Sequence, residues 1–104
     1  MTPRKPEESG GAAIQEEIEV KEPPKMAVLL HNDDFTTMEF VIEVLIRFFK
    51  RTAEESVKIM LSVHERGSGV AGIYPAEIAE TKVSQVAEYS KAKGYPLKAT
   101  TEPA

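Results

Sequence analysis

Four residues able to do polar chemistry stand in a row at His31-Asn32-Asp33-Asp34, and a second histidine, His64, stands far along the chain. As a metal site, His31, Asp33, Asp34 and His64 offer nitrogen and oxygen ligands, but their spacing matches no ligand pattern of the His-Glu-x-x-His kind. As a hydrolase, Asp and His can orient and deprotonate, yet the chain has no cysteine, and no Gly-x-Ser-x-Gly elbow activates Ser62 or Ser68. Gly67-x-Gly69-x-x-Gly72 matches a dinucleotide fingerprint in letters only, because it precedes a strand pattern instead of following one. The third chemistry is capture of a cation beside an apolar hole. An ammonium group has three donors and no acceptor, so it needs a carboxylate, a carbonyl oxygen and a neutral imidazole nitrogen around it. Asn32, Asp33 and His64 are such a set, and Thr36, Met38, Met60 and Val63 lie next to them in sequence as walls of an adaptable cavity. The plain alternatives stand beside this reading: turn residues for Asn32 and Asp33, core filler for Met38, Met60 and His64. Spacing alone does not bring His64 to Asn32.

The elements that must position these residues are legible. Lys25 to His31 is apolar on both faces, as a central strand requires, and Asn32-Asp33-Asp34 ends it as a turn. Thr36-Thr37-Met38-Glu39 has the form of a capping box with Thr36 as the cap. Phe40, Val41, Val44, Leu45 and Phe48 then recur at helical spacing to about Lys50. Thr52-Ala53-Glu54-Glu55 repeats the box before a second helix with a stripe of Val57, Met60, Leu61 and His64, which Gly67 ends in a left-handed cap. Gly69 to Tyr74 is a short strand, with Pro75 in the first turn of a third helix. That helix runs to about Lys93, faces Ile78, Val83, Val86 and Tyr89 inward, and is capped by Gly94. Pro96 to Thr101 forms a last, edge strand. The expected fold is α/β of the α+β kind: a small three-stranded antiparallel sheet, three helices on one face, order β-α-α-β-α-β.

The chain of 104 residues carries a formal charge of −4. Residues 1–24 hold four of its seven prolines and six acidic against three basic residues, with too little apolar mass to offset the entropy of ordering. They read as a disordered acidic tail, and residues 25–104 as one nearly neutral domain. Without clustered Lys and Arg that domain is a poor match for nucleic acid. No apolar run approaches the ~20 residues of a membrane span, and no signal or transit segment opens the chain. The default location is cytoplasmic.

Three stretches in order, His31-Asn32-Asp33-Asp34-Phe35-Thr36-Thr37-Met38-Glu39-Phe40-Val41, then Val63-His64 with Gly67, then Ala76-Glu77-Ile78-Ala79-Glu80-Thr81-Lys82-Val83, resemble the ClpS family of Clp protease adaptors. The resemblance covers about residues 25–102. It implies a small domain with no catalysis, no cofactor and no metal. Its implied partners are N-degron proteins beginning with Leu, Phe, Tyr or Trp and the N-terminal domain of a ClpA-type unfoldase, with neither nucleic acid nor membrane. Carried over by position, Asn32, Asp33 and His64 hold the substrate α-amino group. Asp34, Thr36, Met38, Met60, Val63 and Leu97 form the side-chain pocket, with Met38 as a gate against β-branched residues. Glu77 and Lys82, joined by Phe35, form the docking face for the unfoldase, and the tail is engaged during delivery. Thr37 stands where the family often has proline; at a first helical position either residue is tolerated, so little change is expected. His31 lies outside the binding pattern. The rival classes are a metal-dependent enzyme and a plain protein-binding scaffold.

Overall fold

The computed structural model of the chain describes residues 24–104. Apart from Pro24, the expected disordered tail lies outside the described residues. Strand β1 (Lys25–His31) leads through a turn into helix α1 (Met38–Phe49) and helix α2 (Ala53–Arg66); β2 (Ser68–Pro75), α3 (Ala76–Lys93) and β3 (Lys98–Pro103) follow. The three strands form one antiparallel sheet in the order β2-β1-β3. This is the expected α+β architecture, with β1 central as its two apolar faces require.

Alternation along β1 decides where the core lies. Val28 and Leu30 are fully buried and join Phe40, Val41, Val44 and Leu45 of α1, Met60 and Val63 of α2, and Ala79 and Val86 of α3 in one cluster. On the opposite sheet face Ile73 pairs with Ala27 and Val70 with Leu29, and Ile73 and Val70 are exposed. Between these pairs the register slips, leaving Ala71 as an extra residue on β2. Its carbonyl accepts from Arg51 Nε at 2.8 Å. Helices α1 and α3 are joined by aromatic contact, with Phe40 4.3 Å from Tyr95 and 5.7 Å from Tyr89 between ring centres.

Four local expectations need correction. The cap of α1 is Thr37, not Thr36, because the Thr36 hydroxyl is already committed to Asp33. The buried face of α2 is Ser56, Met60 and Val63, while Val57 and Leu61 are each 40 % exposed and His64 is also exposed. A Cβ on Gly69 would lie 3.0 Å from Val63 and 3.2 Å from the Ile59 carbonyl, so α2 packs close on β2 through the face that bears Val63. On α3 the buried positions are Ala79, Val86 and Ser90, and Ile78 is exposed; Pro75 is the cap residue and still pairs with Lys25. The last strand starts at Lys98, since Gly94 and Tyr95 donate back to the end of α3 and carry Pro96 outside the ladder. The second box is as expected: Thr52 Oγ1 accepts from Glu55 N, and Glu55 Oε1 accepts from Thr52 N.

Candidate functional site

The site begins where β1 ends. The Asn32 amide donates to the Gly67 carbonyl at 2.9 Å, a contact that ties the turn after β1 to the last residue of the α2 cap. Gly67 has φ of +91°, a left-handed conformation that side chains with a Cβ rarely adopt. Its own amide closes α2 on the Val63 carbonyl at 3.0 Å. One glycine thus ends the helix, turns the chain into β2, and anchors Asn32 beside the helix end that carries His64.

Asp33 organises the turn. Its Oδ1 accepts from the amides of Phe35 at 2.8 Å and Thr36 at 2.7 Å, and its Oδ2 accepts from the Thr36 hydroxyl at 2.7 Å. Partial burial acts to raise its pKa, but the Thr36 hydroxyl and the two amides stabilise the carboxylate more, and the net shift is downward. Thr37 then caps α1 by accepting from the Phe40 amide at 3.1 Å, which sets Met38 as the first helical residue.

Around this turn lies a cavity of about 500 Å³. Asn32, Asp33, Asp34, Thr36, Met38, Met60, Val63 and His64 all line it, so the turn and the end of α2 do converge. Phe35, Thr37, Glu39 and Val41 line it as well. Only Phe35 among these four was singled out from sequence, and for docking; the signal for the others is their place in the first turn of α1. Met60, Val63 and Val41 make a buried apolar floor, while Phe35, 78 % exposed, stands at the rim. The charged residues of the lining are Asp33, Asp34 and Glu39, with no Lys or Arg. A cavity with acids, an amide and an imidazole over an apolar floor suits a ligand with a cationic head and an apolar body.

The remaining named residues lie elsewhere. Leu97 is buried in the core and is not among the lining residues. Glu77 is exposed in the first turn of α3. Lys82 donates to the Phe48 carbonyl at 2.7 Å and sits 5.5 Å from the centre of the Tyr74 ring. His31 Nε2 lies 2.7 Å from Thr100 Oγ1 across the β1–β3 pair, away from the cavity lining. Among the described residues no group of three or more His, Cys, Asp or Glu side chains is placed to hold a metal ion. No described helix is long and apolar enough to cross a membrane.

Known proteins share this chain's sequence and architecture. A family model described as ATP-dependent Clp protease adaptor protein ClpS matches residues 21–100. The ATP-dependent Clp protease adapter protein ClpS of Nitratidesulfovibrio vulgaris is 56% identical over 86 residues, covering 83% of this chain and 86% of the relative. That of Oleidesulfovibrio alaskensis is 49% identical over 102 residues, covering 98% of each chain. Among solved structures, Agrobacterium tumefaciens ClpS2 bound to L-phenylalaninamide superimposes with a TM-score of 0.76 at 37% identity, covering 80% of this chain and 100% of that one.

Proposed function

From the premise that the chain belongs to the ClpS family of ATP-dependent Clp protease adaptor proteins, we propose that it reads the first residue of its substrates in the cavity at the end of β1. The family is one of adaptors, not of catalytic enzymes. The substrates in this reading are N-degron proteins beginning with Leu, Phe, Tyr or Trp, handed to a ClpA-type unfoldase working with ClpP.

The observation that carries the reading is the convergence of Asn32, Asp33 and His64 over an apolar floor of Met60 and Val63. The ligand of the related ClpS2 structure, L-phenylalaninamide, has the two parts such a cavity asks for, a free α-amine and an apolar side chain. A carboxylate has about four acceptor positions. Asp33 uses three on its own turn, and the fourth, on Oδ2, is left for an ammonium hydrogen. The Asn32 side-chain carbonyl and a neutral His64 nitrogen take the other two hydrogens. Asp34, Thr36, Met38, Met60 and Val63 then surround the first side chain. Leu97 joins them only if the cavity wall yields when that side chain enters. Glu77 and Lys82 form the docking surface for the unfoldase on α3, with Lys82 turned toward the α1 C-terminus by the Phe48 carbonyl. Phe35 adds a second contact from the cavity rim at the other end of β1.

Fluorescence anisotropy of a labelled peptide beginning with Leu or Phe tests this directly. The free amine should bind and its N-acetylated form should not. Equal binding of both, or of neither, removes the reading and leaves a general protein scaffold.

A further inference from the structure

Met38 owes its position to one neighbour. At the start of α1 the amides of Met38, Glu39 and Phe40 have no intrahelical carbonyl to reach. The Phe40 amide is satisfied by Thr37 Oγ1 at 3.1 Å, and the first helical bond, from the Val41 amide, runs to the Thr37 carbonyl at 3.2 Å. Both bonds that close the first turn therefore end on Thr37. Immediately before it, the Asp33 carboxylate is locked to Thr36 by two bonds of 2.7 Å. Thr37 stands between the turn that Asp33 organises and the side chain of Met38.

Among the apolar cavity walls, Val41, Met60 and Val63 are held in the core, whereas Met38 is 43 % exposed and unbranched. It is the helix-borne wall with freedom to move. A ligand whose ammonium is fixed at Asp33 places its Cβ close to that anchor, so a second substituent on Cβ must fit beside it. Room for that substituent depends on how firmly the first turn holds Met38.

We propose that the Thr37 hydroxyl is a positioning residue for specificity: by capping α1 it holds Met38 in place and sets how strictly the site refuses side chains branched at Cβ. This rests on the first-residue reading above. Thr37 is the cap residue, with φ −76° and ψ 155°, not the first helical residue, and its hydroxyl is the acceptor that the Phe40 amide uses.

The test compares free-amine peptides identical except for Leu or Ile at the start, by anisotropy, on the full chain. Thr37→Val keeps the shape of the side chain and removes the cap; Thr37→Ala is a second capless variant, and Thr37→Ser keeps the hydroxyl. The Leu-over-Ile preference should fall severalfold in both capless variants and stay at the parent value in Thr37→Ser. In a Met38→Ala background Thr37→Val should change nothing more. An unchanged preference in Thr37→Val overturns the inference, and so does a change that persists without Met38, because Thr37 itself lines the cavity and would then act on the ligand directly. A parent that fails to distinguish free from N-acetylated peptide overturns the underlying reading, and the inference with it.

Discussion

Asp33 organises its turn and, in the proposed reading, holds the ligand with the same carboxylate, so the two duties can be separated by substitution. Asp33→Asn keeps an oxygen for the Phe35 and Thr36 amides and loses the charge, while Asp33→Ala loses both. Removing one partner of a hydrogen-bonded charge pair costs several kcal/mol, so Asp33→Ala should weaken binding of a Leu-initiated peptide at least ~30-fold. Asp33→Asn should weaken it severalfold while leaving the melting transition nearer the parent. Parent-like affinity in Asp33→Ala would remove Asp33 from the site. The same group links stability to pH. Its pKa is lower folded than unfolded, so its stabilisation is complete above the unfolded value and disappears as pH falls through the folded one. Melting temperatures followed through the acidic carboxylate range should fall more steeply for the parent than for Asp33→Asn. The letters Asn-Asp-Asp offered both a turn and an ammonium ligand, but not the three bonds by which the Asp33 carboxylate organises that turn. They announced a turn, but which of two adjacent threonines caps the helix was settled by Asp33 taking the Thr36 hydroxyl.

The elements were legible wherever the deciding force is local. The Thr52–Glu55 box, the left-handed caps at Gly67 and Gly94, and the two-faced apolar β1 all lie as their residue types require. On α3 the sequence placed Val83, Val86 and Tyr89 inward as the structure does and missed only at Ile78, whereas on α2 only Met60 of the expected stripe is buried; in both helices it passed over small buried side chains. Ser56 and Ser90 are fully buried, yet their hydroxyls find no hydrogen-bond partner among the described residues, and a pattern search for large apolar residues passes over them. An unsatisfied buried hydroxyl destabilises by about 1 kcal/mol or more. Ser90→Ala should therefore raise the melting temperature by about 4–8 °C for a domain of this size and leave peptide affinity unchanged. A lowered melting temperature would mean that a partner for the hydroxyl, such as an internal water, completes the site. The convergence of His64 on Asn32 belongs to this scale too. It rests on the pairing of His31 with Ser68 and on the backbone bond from Asn32 to Gly67, long-range contacts that no periodicity encodes.

In the proposed reading the described domain reads the substrate, and the acidic residues that precede it serve delivery. Residues 1–24 carry three of the four net negative charges and could span ~80 Å when fully extended, enough to reach well beyond a docked domain. Deleting residues 1–20 should leave peptide binding intact and slow degradation of a Leu-initiated substrate by the unfoldase and protease; degradation at the parent rate would show that the segment has no part in delivery. The bond between Asn32 and Gly67 has one more consequence, in time rather than in space. Everything needed to fold the turn is present once residues 31–40 have been synthesised, but His64 and the carbonyl that seats Asn32 come much later. In the proposed reading, the growing chain therefore lacks its binding site until residues 64–67 have been made and α2 packs back on the first strand.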